Sequence, residues 1–271
     1  MVGIGRREWL RSAARMVEIR LGIMAEIDGA CGAFGSSRNV GRNRFEFGRT
    51  CVVRPRGTHQ ATIVWLHGIG EMGSSWTRFL ESLPLPNIKW ICPTAPTRPV
   101  ALFGGLPCTS WFNVEDMSDN ATDDVEGLDA SATHIANMLS NERDDIKLGV
   151  AGFSMGSAMA LYCATCRVLG QYGNGNRYPI NLSLAVALSG WLPCSRVQAS
   201  QEAARRAASL PILLCHGQVD DVIEYKHGEK SAETLHSAGF QNLILGGDSV
   251  LIANGMVDDC GVNDEEEWVK N

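Results

Sequence analysis

The sequence predicts an α/β fold with one mostly parallel sheet and helices on both faces. Short runs of apolar and β-branched residues alternate along the chain with segments of helical periodicity. Such alternation is typical of parallel sheets, because neighbouring parallel strands need a crossover connection that is usually a helix. Marked Gly, Ser, His and Asp residues follow the predicted strands, and active sites of such sheets lie at the carboxyl ends of the strands.

The predicted elements begin near residue 45. Within 123–140, apolar residues recur at helical spacing and give that helix one apolar face. The run 61–66 is β-branched and stops at a glycine-rich turn, as expected of a strand. Predicted strands lie at 50–53, 61–66, 88–92, 146–151, 182–188, 212–215 and 242–245, and predicted helices at 123–140, directly after residue 154, at 201–208 and at 226–238.

Composition limits the classes of function. The 271 residues are 45% apolar and 20% charged, with a formal net charge of −6. A chain of this length often forms one domain. Mild acidity argues against nucleic-acid binding, and no stretch approaches the roughly 18 apolar residues of a membrane span. We therefore expect one soluble domain with neither a nucleic-acid partner nor an integral membrane segment.

Ser154 is the candidate nucleophile. It lies in a Gly-x-Ser-x-Gly pattern between a predicted strand and a predicted helix. Gly152 and Gly156 remove Cβ atoms that would collide in this strained turn, which exposes the serine hydroxyl above the sheet. The N-terminal N–H groups of the following helix point to the same place and stabilise negative charge on a substrate oxygen. The alternative interpretation is a glycine-rich turn with a solvated serine.

Two further strand ends carry candidate residues. His-Gly-Ile-Gly at 67–70 allows backbone N–H groups to approach a substrate oxygen and, with the N–H of Met155, predicts an oxyanion hole. We expect His67 itself to be a structural turn residue. After the strand 212–215, Asp220 is the candidate triad acid, with Asp221 as the alternative and a turn or N-cap role as the non-catalytic interpretation.

Cysteine usage favours reduced thiols. The nine cysteines are odd in number and scattered, which indicates a cytoplasmic or nuclear compartment. Cys163 and Cys166 form a single C-x-x-C inside a predicted helix without a second ligand pair, so buried small residues are favoured over a zinc or redox site. The predicted chemistry needs only side chains and water, and we expect neither a metal nor an organic cofactor.

The chain divides into three segments by composition. In residues 1–44, arginines alternate with apolar residues before a stretch rich in Gly, Ser and Asn. We expect a flexible extension there; organelle targeting by residues 1–30 is the alternative, although glutamates dilute the composition of a transit peptide. Residues 45–245 form the expected hydrolase domain, and 246–271 form a divergent acidic tail.

Several ordered motifs carry a family resemblance. They lie at 67–76, 93–96, 110–112, 152–156, 188–193 and 216–220. Together they resemble the acyl-protein thioesterase group, lysophospholipase-like carboxylesterases of the phospholipase/carboxylesterase family. The resemblance implies an α/β-hydrolase fold and a cytoplasmic serine hydrolase that cleaves acyl thioesters, such as S-palmitoyl groups on proteins, or carboxyl esters of lipids.

The resemblance also implies roles for individual residues. Met155 stands where relatives often have Gln, but an oxyanion donor at this position needs only its backbone N–H. Asn113 stands where many relatives have Asp. The segment 102–111 resembles the loop that borders the acyl channel. The implied site comprises the nucleophile Ser154, the acid Asp220, the oxyanion donors Ile69 and Met155, and the channel residues Leu102, Phe103 and Trp111.

The main departure from the family follows the last predicted strand. The family has Gly-His there, with the histidine as general base, and then a final helix; this chain has Gly-Gly-Asp at 246–248. His227 and His236 precede that strand, and we expect neither to reach Ser154. Loss of a triad member leaves only about 10³–10⁴-fold rate enhancement. We therefore expect the hydrolase fold without its final helix, lower stability, and little or no turnover.

Two functions remain open at this point. The first is hydrolysis of carboxylic esters or thioesters, as in the family. The second is a non-catalytic protein of the hydrolase fold that binds an acyl ligand or a partner in the same cleft. Retention of Ser154 and Asp220 favours a recently altered end over a long-established binding module.

Overall fold

The computed structural model describes residues 45–118, 121–194, 200–246, 250–252 and 255–256. The extension 1–44, which includes the targeting alternative at 1–30, lies outside the described residues. Most of the tail 246–271 also lies outside them. The strands are β1 Cys51–Val53, β2 Ala61–Leu66, β3 Ile88–Cys92, β4 Thr97–Val100, β5 Leu106–Thr109, β6 Lys147–Phe153, β7 Leu184–Leu188, β8 Ile212–Cys215, β9 Leu243–Gly246, β10 Val250–Ile252 and β11 Gly255–Met256. The α-helices are α1 Thr77–Ser82, α2 Val125–Leu139, α3 Met155–Leu169, α4 Gln201–Ser209 and α5 Tyr225–Ser237.

The predicted mostly parallel sheet is confirmed. Among the described residues, its strand order is β1-β3-β2-β6-β7-β8-β9-β10-β11. The neighbours β3, β2, β6, β7, β8 and β9 pair in parallel in that order. Strands β1, β10 and β11 pair antiparallel to their neighbours. The carboxyl ends of β2, β6, β7, β8 and β9 therefore meet at one edge, where the loops that follow them form the candidate site.

The centre of the sheet is buried on both faces. In β2, Ile63 and Trp65 belong to one apolar cluster, and Val64 and Leu66 to another on the opposite face. This explains why 61–66 reads as a continuous apolar run rather than an alternating one, since a central parallel strand has helices on both sides. Trp65 packs against Trp76 with ring centroids 4.7 Å apart, which closes the face that carries α1.

Helix boundaries follow local hydrogen bonding. The Asp124 side chain accepts from the N–H of Gly127 at the start of α2, and the Ser200 side chain does the same for Ala203 at the start of α4. Helix α3 ends at Gly170, whose φ of 77° is the left-handed conformation that glycine adopts easily. The observed bounds of α2 and α4 lie within two residues of the predicted bounds.

Five of the described elements were not predicted from the sequence: β4, β5, α1, β10 and β11. Strands β4 and β5 form a separate two-stranded antiparallel sheet in a Pro-rich region, and α1 follows the glycine-rich turn after β2. Strand β10 pairs antiparallel with β9, so residues assigned to the divergent tail extend the sheet. In the ranges given above, no helix is both long and apolar enough to cross a membrane.

Candidate active site

Ser154 occupies the turn between β6 and α3. Its φ of 55° and ψ of −121° lie outside the regions that non-glycine residues normally adopt. The Ser154 N–H donates to the carbonyl of Leu188 at the end of β7, and the hydroxyl does not cap the helix. The side chain is half-buried. Strain of this kind at a strand-to-helix turn is the geometry of a nucleophile elbow.

Close backbone packing explains the two glycines around Ser154. A Cβ on Gly152 would overlap the carbonyl of Gly156, and a Cβ on Gly156 would overlap the carbonyl of Leu66 at the end of β2. Helix α3 therefore starts against the backbone of two strands. This close approach fixes Ser154 beside the loop that follows β2.

That loop supplies the candidate oxyanion donors. A Cβ on Gly68 would lie 3.3 Å from the Cβ of Ser154, so the loop backbone runs directly alongside the elbow. The Gly70 N–H donates to the Thr109 carbonyl. Between these residues, the N–H of Ile69 has no backbone acceptor within the described ranges. The N–H of Met155 is the first of α3 and has no intrahelical partner.

Glu71 belongs to the candidate site, although no sequence pattern indicated it. Its Oε2 accepts from the N–H of Gly68 at 2.9 Å and from the indole N–H of Trp76 at 3.0 Å. Its carbonyl accepts from the hydroxyl of Thr109 at 2.6 Å. Glu71 thus holds the N–H of Gly68, the residue before Ile69, and fixes the shape of the candidate oxyanion loop.

Replacing Glu71 with alanine is expected to lower the free energy of unfolding by about 1.5–3 kcal/mol, because two hydrogen bonds to a charged acceptor are lost. Glu81 is an exposed glutamate on α1 and provides the matched control. Glu81→Ala is expected to change stability by less than about 0.5 kcal/mol. Urea unfolding of both variants measures the difference, and equal midpoints would contradict the role of Glu71.

His67 is a structural residue, as expected. Its Nδ1 donates to the Gly68 carbonyl at 2.6 Å, and its Nε2 accepts from the N–H of Ala95 at 3.0 Å. These contacts define a neutral tautomer, and burial lowers the pKa of His67 to about 4. The indole N–H of Trp111 donates to the His67 carbonyl. With both ring nitrogens engaged, His67 is not placed to accept a proton from Ser154.

Asp220 lies in the loop after β8. Its Oδ1 accepts from the N–H groups of Val222 and Ile223, both at 3.0 Å, so it makes the turn contacts that the non-catalytic interpretation predicts. Its Oδ2 lies 3.7 Å from Nε2 of His216, which is itself directed to the Ile223 carbonyl at 2.6 Å. The alternative, Asp221, is exposed. Of the two carboxylates, Asp220 is the one held by backbone hydrogen bonds and close to a histidine.

The two later histidines lie at opposite ends of α5. His236 is exposed in the last turn, and a 13-residue helix is about 20 Å long, which places it far from the strand ends that carry Ser154. His227 is in the first turn and lines a cavity of about 120 Å³ with Trp191 and Leu192. Ser154 is not among the residues that line this cavity.

The predicted channel residues separate into two groups. Leu102 and Phe103 are 43% and 42% exposed in the connection between β4 and β5, and their channel role stays a prediction. Trp111 is fully buried, and its carbonyl accepts from the Ser131 hydroxyl. Trp111 therefore supports the candidate oxyanion loop from within the core and does not line an open channel in this structure. Asn113 accepts from the N–H of Ala101, which ties the β4–β5 unit to the segment after Trp111.

The described residues contain no group of three or more His, Cys, Asp or Glu side chains placed to hold a metal ion. Cys163 and Cys166 are buried in α3, and burial raises the pKa of the Cys163 thiol to about 12. Both are therefore apolar core residues in this structure.

These features define an α/β-hydrolase with serine at the elbow position. The chain belongs to the phospholipase/carboxylesterase family, which it matches over residues 48–243. The predicted family, fold and class of hydrolase are thereby confirmed: the family comprises hydrolases of carboxylic esters and thioesters.

Within the family, the chain is similar to several acyl-protein thioesterases. The chain is 31% identical over 204 residues to acyl-protein thioesterase 1 of Cryptococcus neoformans, a match that covers 72% of this chain and 81% of the relative. It is 29% identical to acyl-protein thioesterase 1 homolog 1 of Dictyostelium discoideum, over 67% of this chain and 78% of the relative. The crystal structure of Zea mays acyl-protein thioesterase 2 is similar, with 65% identity, a TM-score of 0.73, and coverage of 74% of this chain and 89% of that one.

Proposed function

We propose that this chain is an acyl-protein thioesterase in which Ser154 is the nucleophile and turnover is limited by the residues after β9. The observation that carries the proposal is the strained Ser154 conformation beside the N–H groups of Ile69 and Met155, which have no backbone acceptor among the described residues. The names of the similar proteins support S-acylated proteins as substrates. Free thiols at the described cysteines are compatible with the proposed cytoplasmic location.

The geometry suggests a direct sequence of steps. The Ser154 hydroxyl oxygen attacks the thioester carbonyl, and the oxyanion of the tetrahedral intermediate accepts from the N–H groups of Ile69 and Met155. Collapse of the intermediate releases the cysteine thiolate of the substrate and leaves an acyl-serine ester. Water then hydrolyses this ester and releases the fatty acid. Each addition step requires a base that removes a proton from the attacking oxygen.

The strand order supports a place for that base after β9. Strands β6 and β8 are separated by β7, so Ser154 and Asp220 start from strand ends about 10 Å apart, a gap that an imidazole can bridge. Gly246 ends β9 and pairs with Cys215 at the end of β8. The next residues in the chain are Gly247 and Asp248, neither of which carries an imidazole.

Hydrolysis assays with the purified chain test this proposal, using a palmitoyl thioester and a short-chain nitrophenyl ester. We expect wild-type rates within about tenfold of Ser154→Ala, since the oxyanion hole acts without a base. His227→Asn is the matched test of His227 as an alternative base. High turnover that is lost in both Ser154→Ala and His227→Asn would assign the base to His227 and refute the proposed limit.

The second candidate function is acyl binding without turnover. It is favoured by the same observation, an ordered elbow and oxyanion loop that lacks a base in the expected place. Binding of a non-hydrolysable palmitoyl thioether at submicromolar concentration, combined with no Ser154-dependent turnover in Gly247→His, would support this function over the hydrolase.

A further inference from the structure

Cys51 and Cys92 lie directly opposite each other at the edge of the sheet. In the antiparallel pair of β1 and β3, Cys51 is the Cα partner of Cys92. Directly opposed residues project from the same face, with Cα atoms about 4.5–5.5 Å apart. Both side chains also pack in one apolar cluster. Disulfides join Cα atoms about 4.4–6.8 Å apart, so the pair meets the main geometric requirement.

The two thiols differ in access. Strand β1 is an edge strand of the described sheet, and Cys51 is partly exposed. Cys92 is fully buried, and burial, with a smaller effect of the neighbouring Cys51, raises the pKa of its thiol to about 12. A reagent in solution therefore meets Cys51 first, because reaction needs both an accessible sulfur and a thiolate.

We propose that Cys51 and Cys92 form a thiol–disulfide site that a small disulfide, such as oxidised glutathione, converts to a cross-strand disulfide. The Cys51 thiolate attacks one glutathione sulfur, which forms a mixed disulfide and releases one glutathione thiolate. The Cys92 thiolate then attacks the Cys51 sulfur and displaces the second glutathione thiolate. The protein loses two hydrogen atoms, and two molecules of reduced glutathione form, so the exchange balances. This site is independent of the proposed hydrolase activity.

The order of reaction has a measurable consequence. The second step uses the buried thiol, whose raised pKa keeps the thiolate fraction small at neutral pH. The mixed disulfide at Cys51 is therefore expected to accumulate first and to convert to the internal disulfide more slowly. Since attack requires the thiolate, the conversion rate is expected to rise with pH between 7 and 9.

A disulfide between Cys51 and Cys92 would link the short edge strand β1 covalently to β3. Strand β1 has three residues and pairs only with β3 in the described sheet. Its pairing is continued by the Thr94 hydroxyl, which donates to the Arg49 carbonyl at 2.8 Å. A covalent link between residues 51 and 92 restricts the unfolded chain, so the oxidised protein is expected to melt several degrees higher than the reduced one.

The test is incubation of the full chain with oxidised glutathione, followed by peptide mapping without reduction and by thermal unfolding. We expect a Cys51–Cys92 linked peptide in the wild type. Cys92→Ser is expected to stop at the mixed disulfide on Cys51, and Cys51→Ser to show no modification at Cys92. The buried pair Cys163 and Cys166 is the internal control and is expected to stay reduced.

Three outcomes would overturn the proposal. A mixed disulfide at Cys51 that never closes in folded wild type would show that the two sulfurs do not meet. A link from Cys51 to Cys31, Cys260 or another cysteine would assign a different partner. A linked Cys51–Cys92 peptide that appears only after denaturation would show that the native sheet does not permit the bond.

Discussion

Replacing Gly247 with histidine is expected to raise the hydrolase rate of this chain by at least about tenfold, because a positioned general base contributes about 10²–10⁴-fold. Residue 247 directly follows Gly246, which pairs with Cys215 at the strand end next to the Asp220 loop. The family resemblance places the catalytic histidine at this point of the chain. The gain is expected in kcat rather than in KM, since proton removal occurs in the transition state.

The control variants separate a new base from an unspecific effect. Gly247→Ala changes the backbone freedom without adding a base and is expected to remain at the wild-type rate. The double variant Gly247→His with Ser154→Ala is expected to be inactive. Activity of Gly247→His should rise with pH through the pKa of a histidine, about 6.5. A folded Gly247→His without any Ser154-dependent rate would contradict the assignment of Ser154 as nucleophile.

Gly156→Ala is expected to lower the free energy of unfolding by about 3 kcal/mol or more, because overpacking against backbone leaves no flexible side chain to move. The added Cβ would overlap the carbonyl oxygen of Leu66, and the carbonyl of His67 is also close. The helix or the end of β2 must then shift. The same shift separates Ser154 from the Ile69 N–H, so residual hydrolysis should also fall.

Gly217→Ala is the matched control for this substitution. Gly217 lies in the loop after β8, where an added Cβ meets no atom within 4 Å. This variant is expected to be unchanged or stabilised by about 0.4–1 kcal/mol through the unfolded chain. Chemical denaturation of both variants measures the contrast. A Gly156→Ala protein as stable as Gly217→Ala would show that α3 is not held against the β2 backbone as described.

Short sequence patterns were sufficient to predict features that depend on neighbouring residues. The glycines at 152 and 156 predicted the close packing of the turn, and the His-Gly-Ile-Gly pattern predicted a structural His67. Continuous apolar runs predicted buried parallel strands, because both faces of such strands are covered. The roles of Ser154, Asp220, Ile69 and Met155 in catalysis remain predictions for the assays described above.

Signals failed where pairing depends on distant residues. Strands β4 and β5 contain Pro99 and Pro107; no strand was predicted at either position, and 102–111 was compared with a loop of the family. Proline is tolerated there because the two are opposed in an isolated two-stranded sheet, where edge positions need no N–H donor. Trp111 was assigned to a channel by resemblance, but its indole is used to hold the His67 carbonyl inside the core.

The sequence by itself determined the strands β1 to β3 and β6 to β9, the helices α2 to α5, the strained serine turn, and the family. Each of these depends on short patterns of glycine, apolar and β-branched residues. The tertiary structure alone decided which groups meet. The carbonyl of Glu71 meets the hydroxyl of Thr109, 38 residues further along the chain, and Cys51 faces Cys92 only through strand register. Such contacts join residues whose separation along the chain carries no periodic signal, so they are fixed by packing rather than by local pattern.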